Sequence, residues 1–269
     1  MTNKIKTFLV IFIVSIIPIG CSALMQINVF PVSKDIELGR QFDNQIRNTP
    51  KEYPILQNRP DVKAYVENIG KKIITSPEIV YRDQFAYKFE IIKDDSTINA
   101  FCTPGGYVYV YTGLLKFLDN EATLAAVIAH EIAHAERRHS TNQMTAQYGV
   151  QALLNMAGGK LGATGTQIAG AVAGLGLLKY SRTDEQEADA YSFKYLQSTE
   201  YFPGASKYFF EKVAHENSGG ALERLLSTHP LPQDRVTNVN KLIIDAGNPQ
   251  AREANLFAAR YKKFKMTLP

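Results

Sequence analysis

The stretch Leu124–His139, LAAVIAHEIAHAERRH, decides the fold that this sequence predicts. His130 and His134 are four residues apart, and four residues turn an α-helix by about 400°, so both side chains point the same way. Two imidazoles at this spacing can bind one zinc ion through their ring nitrogens. Glu131 is turned by about 100° and can reach an attacking water rather than the metal. It would serve as the general base that takes the proton of this water.

A chance match on a polar helix face is the alternative interpretation. The neighbours Ala129, Ile132 and Ala133 argue against it, because they predict a buried helix. Two histidines and a glutamate inside a core helix would be costly without a metal. His139 lies about 180° around the helix from His130, so we expect it to be a surface or capping residue and not a ligand.

Periodic patterns place this helix in a mostly helical α+β domain. Apolar residues at helical spacing predict two earlier helices, over about Ser33–Arg47 and Asp61–Thr75. From Tyr87 the period changes to two, which is typical of strands. We expect three strands, Tyr87–Ile92, Ile98–Cys102 and Tyr107–Thr112. They would form a small antiparallel β-sheet beside the metal-binding helix.

A catalytic zinc site has three protein ligands and one open position, so a third ligand is expected downstream. The acidic segment Ser181–Asp189, SRTDEQEAD, is the candidate. Glu185 and Asp189 share a helix face, whereas Glu187 points to the opposite side. We predict Glu185 as the ligand and Asp189 as the group that orients a ligating histidine. A solvated acidic helix start, or Glu187 as the ligand, are the alternatives.

Capping signals mark where these two helices begin. Asp119 or Asn120 can cap the metal-binding helix. Thr183 with Gln186 makes a capping box that would begin the acidic helix.

The combined motifs resemble the HtpX/BepA-like zinc metalloendopeptidases, peptidase family M48, which also includes the CAAX prenyl proteases. The similarity rests on His130-Glu131-Ile-Ala-His134 followed by Ser181-Arg182-x-x-Glu185-x-Glu187-Ala188-Asp189. It extends over about residues 34–245 through Asn99-Ala-Phe101, Pro104-Gly-Gly106, Gly113-Leu-Leu115 and Thr228-His229-Pro230 with Arg235. The resemblance implies a gluzincin fold, one zinc ion per chain, and Glu185 as the third ligand.

His229 has two interpretations. A lone histidine beside a proline is more often structural than functional. The resemblance places its loop over the active site, where His229 would be a fourth ligand in a closed state or a donor to the transition-state oxyanion. Arg235 would then fix the loop through a carboxylate rather than touch substrate.

Two further segments have open interpretations. The strand Ile98–Cys102 is the candidate edge on which an extended substrate could add a strand, or it is an ordinary hairpin strand. The uncharged segment Leu161–Leu178 is favoured as a small-residue helix or lid over a membrane-spanning helix, because five glycines make it weakly hydrophobic.

The N-terminus predicts export. Lys4 and Lys6 precede an apolar run over Thr7–Ile19, which is typical of a secretory signal, here residues 1–20. Ile19-Gly20-Cys21 resembles the end of a bacterial lipobox, in which the cysteine is lipidated, although Pro18 departs from that pattern. The alternatives are cleavage after Ala23 and an uncleaved anchor.

We expect a cell-envelope or periplasmic lipoprotein anchored in a membrane through Cys21. Residues 21–32 would form a tether, 33–248 the zinc metallopeptidase domain and 249–269 a C-terminal helix. The other cysteine, Cys102, is expected to be a packed strand residue. The net charge of +4 comes with no basic stripe interleaved with aromatics, so we expect no nucleic-acid partner.

The predicted function is zinc-dependent hydrolysis of peptide bonds in protein or peptide substrates. Family and compartment together imply misfolded or unassembled envelope proteins. One alternative is a metal-binding chaperone or assembly factor with suppressed proteolysis. A membrane-embedded prenyl-protein protease is disfavoured, because the sequence has no adequate run of long apolar segments.

Mass spectrometry of the mature N-terminus tests the lipobox prediction. We expect the first residue to be Cys21 carrying acyl chains, because the signal would be removed just before it. An unmodified N-terminus at residue 24 would contradict lipidation.

Overall fold

The computed structural model describes Asn28 and residues 30–148, 179–215, 219–229 and 234–269. The predictions for the signal, for Cys21 and for Leu161–Leu178 lie outside these residues. None of the helices described is both long and apolar enough to cross a membrane.

Helices predominate in this part of the chain, which confirms the mostly helical α+β class. The helices are α1 (Val32–Asn48), α2 (Pro60–Ile73), α3 (Thr112–Phe117), α4 (Glu121–Glu136), α5 (His139–Tyr148), α6 (Arg182–Gln197), α7 (Ser206–His215), α8 (Glu223–Thr228), α9 (Arg235–Asp245), α10 (Glu253–Leu256) and α11 (Ala258–Lys265). The strands are β1 (Lys88–Ile92), β2 (Ala100–Thr103) and β3 (Tyr107–Tyr111), and a short 3-10 helix spans Gly219–Leu222. The two predicted N-terminal helices are thus confirmed as α1 and α2.

The three strands form one mixed sheet in the order β1-β3-β2. The prediction of an antiparallel sheet is correct for β2 and β3 but wrong for β1, which pairs with β3 in parallel. The physical reason lies in β3, whose five residues are all buried. Both faces of β3 are covered, with Val108 and Val110 in the main core and the tyrosines in a second apolar cluster, and a strand pairs with each of its edges.

Helix α4 is the centre of the fold. All of its residues except Val127 are buried, because it packs against α2, α6 and the sheet at once. Asn120 caps its start, and the Asn120 side chain accepts a hydrogen bond of 2.8 Å from the backbone N–H of Thr123. The expected burial of this helix is confirmed, and so is one of the two candidate caps.

Helix α6 begins one residue after Ser181, which differs from the predicted capping box. The Ser181 hydroxyl accepts a hydrogen bond from the backbone N–H of Asp184, and the Asp184 carboxylate accepts one from the backbone N–H of Ser181. Thr183 and Gln186 therefore lie within the helix rather than at its cap. The short aspartate side chain performs the role that the pattern assigned to a glutamine.

The C-terminal residues pack onto the start of α4. The Arg260 guanidinium donates two hydrogen bonds to Glu121, of 2.5 and 2.6 Å, and the hydroxyl of Tyr201 donates a third of 2.7 Å. These contacts fix the N-terminal end of the helix that carries the histidines. The structure forms two short helices, α10 and α11, where a single C-terminal helix was expected.

Candidate metal centre

Helix α4 presents His130 and His134 on one face, as their spacing predicts. Their Nε2 atoms are 3.0 Å apart. His130 is 8% exposed and His134 is 1% exposed. Two buried ring nitrogens thus face one small space beside the helix.

Glu185 of α6 lies on the other side of this space and is fully buried. Its Oε2 atom is 3.5 Å from His130 Nε2, and its Oε1 atom is 3.4 Å from His134 Nε2. His229, just after α8, completes the group, with Nδ1 2.9 Å from Glu185 Oε1. The structure therefore brings together the two histidines, the predicted third ligand and the ambiguous histidine.

This group fits zinc in spacing. One ligand atom from each of the four residues lies within 4.8 Å of every other. Ligand atoms around a tetrahedral zinc, with bonds of about 2.0–2.1 Å, are separated by about 3.3 Å. The measured separations of 3.0 to 3.5 Å among His130, His134 and Glu185 bracket that value. Imidazole and carboxylate are also common zinc ligands in proteins.

The charge of the site fits a divalent cation. Three carboxylates, those of Glu131, Glu185 and Asp189, are buried with one guanidinium, that of Arg235. When ionised they leave an excess of two negative charges. This count leaves out the imidazoles, and the net negative charge of the four groups favours a divalent cation at the ligand atoms.

Glu131 lies beside the ligand group and is 3% exposed. Its Oε2 atom is buried and has no hydrogen-bond partner among the described residues, and its Oε1 atom is 3.8 Å from His229 Nε2. Burial raises the pKa of Glu131, against the opposing effect of the nearby His229 and His130. One oxygen of this carboxylate is thus available for a proton or a water.

Asp189 lies one turn after Glu185 and contacts the rear of His130. The distance from Asp189 Oδ1 to His130 Nδ1 is 3.0 Å. Arg235 of α9 donates a hydrogen bond of 2.8 Å to Asp189 Oδ2 and another of 2.8 Å to Glu185 Oε2. Arg235 therefore binds two carboxylates, which is the kind of contact expected for it.

The two histidines of α4 differ in their electrostatic surroundings. Burial lowers the pKa of His130, but the hydrogen bonds to Asp189 and Glu185 outweigh it and raise the pKa to about 9. Burial holds the pKa of His134 well below its ordinary value. Burial therefore disfavours the protonated form of His134, whereas the two carboxylates favour the protonated form of His130.

His139 was expected to be a surface or capping residue and not a ligand; it lies outside the four-residue ligand group, but the surface position is wrong. His139 is 1% exposed, and its Nδ1 atom is 2.8 Å from Nδ1 of His134. The helical spacing does not extend to His139, because α4 ends at Glu136 and Arg138 adopts a left-handed conformation, with φ of 57°. The turn at Arg138 thereby brings the His139 ring against the Nδ1 atom of His134.

Tyr180 and Glu187 also lie near the ligand group. The sequence did not predict the position of Tyr180, and it left Glu187 as an alternative ligand. The ring of Tyr180 stacks on His134, with centroids 3.9 Å apart, and its hydroxyl lies 3.0 Å from Ser140 Oγ. No sequence signal pointed to Tyr180 beyond its place directly before Ser181. Glu187, the alternative ligand, lies outside the four-residue group, and its carboxylate binds His139 and Arg137.

Comparison with known proteins places these features in one family. The profile of Peptidase family M48 matches residues 60–243, which is more than half of the chain. The Beta-barrel assembly-enhancing protease of Escherichia coli is 29% identical over 220 residues, which cover 77% of this chain and 43% of that protein. The Mitochondrial metalloendopeptidase OMA1 of Schizosaccharomyces pombe is 32% identical over 184 residues, which cover 68% of this chain and 53% of that protein.

The chain spans about half the length of these relatives or less. The matched residues nevertheless include α4, α6 and His229, and hence all four members of the ligand group. The resemblance seen in the sequence and the zinc cofactor that it implies are both confirmed. This chain belongs to Peptidase family M48, a family of zinc metalloendopeptidases.

Proposed function

We propose that this chain is a zinc-dependent endopeptidase in which His130, His134 and Glu185 hold the metal and Glu131 is the general base. One observation carries the proposal. A buried glutamate, one oxygen of which has no hydrogen-bond partner in the part of the chain that the structure describes, lies next to three ligand atoms at zinc spacing. A buried carboxylate without a partner is costly, so its presence calls for a partner during the reaction.

Zinc in this site would lower the pKa of a water to about 7 and polarise the carbonyl of the scissile bond. Glu131 Oε2 would accept the proton of the attacking water and pass it to the departing amide nitrogen. The raised pKa of Glu131 favours holding this proton between the two steps. Asp189 would hold His130 by its Nδ1 atom, which keeps the Nε2 lone pair directed at the metal.

Replacing Glu131 by Gln tests the proposal, because the amide keeps the shape of the side chain but cannot take a proton. We expect kcat/KM on an unfolded protein substrate to fall by about 10²–10⁴-fold, since this is the usual contribution of a general base. Zinc content should stay unchanged. Full activity in Glu131→Gln would contradict the assignment, as would loss of the metal.

His229 takes part in the site in one of two ways, as a fourth ligand or as a donor to the transition-state oxyanion. Its Nδ1 contact with Glu185 and its Nε2 approach to Glu131 support a place beside the metal. His229→Ala in the same assay separates the roles. Weaker zinc binding indicates a ligand, and slower turnover with unchanged zinc affinity indicates the donor. No change in either would remove both roles.

We propose that an extended peptide substrate binds along the free edge of β2. β2 is the last strand in the order β1-β3-β2, and within the described residues no strand pairs with its outer side. A groove of about 170 Å³ is lined by residues of β2 together with Tyr180, Thr228 and His229. An extended peptide adding to β2 would thus lie across the metal-binding residues.

Successive backbone N–H groups of β2 point alternately toward β3 and away from it. This alternation allows a test of the proposal. Asn99 bonds to β3 through its carbonyl, so the Ala100 N–H faces outward and the Phe101 N–H faces β3. We expect Ala100→Pro to lower kcat/KM about tenfold or more and to lower Tm less than Phe101→Pro does, because the donor that it removes faces away from the sheet. The matched control Phe101→Pro removes a bond within the sheet and should lower Tm. A large loss of Tm with normal cleavage in Ala100→Pro would contradict the substrate role.

We further propose that the chain acts in the cell envelope as a lipoprotein, on misfolded or unassembled proteins there. The predicted signal and Cys21 support the compartment, and the name of the Escherichia coli relative supports a role in protein assembly. Comparing envelope proteomes with the active protein and with Glu131→Gln would reveal substrates as proteins that accumulate with the variant. An identical proteome would favour the chaperone alternative.

A further inference from the structure

The two histidines of α4 are held from behind in different ways. His130 has a carboxylate directly at Nδ1, that of Asp189. His134 has instead a second histidine at Nδ1, with His139 Nδ1 at 2.8 Å. The other nitrogen of His139, Nε2, lies 3.1 Å from Glu187 Oε2. A carboxylate therefore lies behind each histidine, but on His134 it is one imidazole further away.

We call the contacts that run from Glu187 through His139 to His134 the row. When both imidazoles are neutral, only one placement of protons gives every contact of the row a donor and an acceptor. The Glu187 carboxylate can only accept, so Nε2 of His139 donates to it. Nδ1 of His139 is then an acceptor, and Nδ1 of His134 donates to it. The lone pair of His134 is thereby left on Nε2, the atom that faces Glu185 and His130. The carboxylate at one end of the row selects the tautomer at the other end.

We propose that Glu187 and His139 are positioning residues for the metal, which act through His134 by fixing its tautomer and the direction of its ring. This inference rests on the proposed metal site and adds two residues to it. Glu187 lies on the side of α6 that faces away from Glu185, and it would act on the metal site through His139.

The surrounding chain holds this row in place. Arg138, in its left-handed conformation, donates hydrogen bonds of 2.9 and 2.6 Å to the buried Asp35 of α1, which fixes the turn that delivers His139. Arg137 donates a hydrogen bond of 2.7 Å to the other oxygen of Glu187, Oε1, so the contact of Oε2 with His139 does not pass through Arg137. Tyr180 covers the face of the His134 ring. His134 is thus constrained at its Nδ1 edge and on one face.

The row is distinct from the ligand group itself. His139 contacts His134 only through the nitrogen that points away from the ligands, and neither His139 nor Glu187 belongs to the four residues that surround the candidate zinc position. Asp184 is the other acidic group near His139, but its Oδ1 atom is 3.9 Å from Nε2, beyond hydrogen-bond distance. Glu187 is therefore the carboxylate that acts on His139.

Zinc affinity, measured by competition with a chromophoric chelator, tests the proposal without relying on catalysis. We expect Glu187→Ala and His139→Ala each to weaken zinc binding by about 10–100-fold, the usual effect of removing a group that orients a ligand. The double variant should bind zinc about as weakly as His139→Ala, because both residues act along one route. Glu187→Gln should lie closer to the unmodified protein than Glu187→Ala, since its amide oxygen can still accept from His139.

Arg137→Ala is the matched control, because it removes the other partner of Glu187 and leaves His139 untouched. We expect its zinc affinity to stay within about twofold of the unmodified protein. Glu187 is one-third exposed, so Glu187→Ala folds even if the buried His139→Ala does not. Nitrogen-15 NMR of the metal-free protein provides a second readout. The His134 ring should be protonated at Nδ1 in the unmodified protein and mixed in Glu187→Ala.

Zinc binding within twofold of normal in Glu187→Ala, with an unchanged His134 tautomer, would overturn the positioning role. So would an equal loss of affinity in Arg137→Ala. Failure of the unmodified protein to bind zinc would instead overturn the metal site itself, and the two failures are therefore distinguishable.

Discussion

Ionisable side chains buried between α4 and α6 impose the constraint on which the structure depends. Removing a charged group from water costs several kcal/mol unless partners compensate it. The residues concerned are His130, Glu131, His134, Glu185, Asp189 and Arg235, and all are less than 9% exposed. Arg235 neutralises part of the negative charge through Asp189 and Glu185. A divalent cation at the point where the ligand atoms converge would compensate the rest.

The arrangement is built from two helices and one turn. α4 supplies both ring nitrogens, because His130 and His134 are one turn apart on the same face, and it supplies the proposed base Glu131, which is turned by about 100° from them. α6 supplies three carboxylates at every second position, and each has a different partner. Glu185 faces the ligand group, Asp189 holds His130, and Glu187 binds His139. The contact between Glu187 and His139 depends on Arg138. Its left-handed conformation turns the chain after α4, so that His139 lies against His134 of that helix.

Regular periodicity made the centre of this fold predictable from sequence. The metal-binding helix, its burial and the convergence of Glu185 and Asp189 on the two histidines all follow from helical spacing. His139 was misplaced because the same spacing was continued past Glu136, where the helix stops. The pairing of β1 with β3 was missed for a different reason. Neighbouring strands in sequence suggest hairpins, whereas the fully buried β3 takes the central place in the sheet. Tyr180 carries no periodic signal at all.

Metal analysis of the purified chain tests the central claim most directly. Inductively coupled plasma mass spectrometry should find about one zinc per chain, and a strong chelator should remove both the zinc and the peptidase activity. Glu185→Gln should lose most of the metal, whereas Glu187→Gln should retain it at saturating zinc. A chain that is free of metal, fully folded and equally active in chelator would contradict the account.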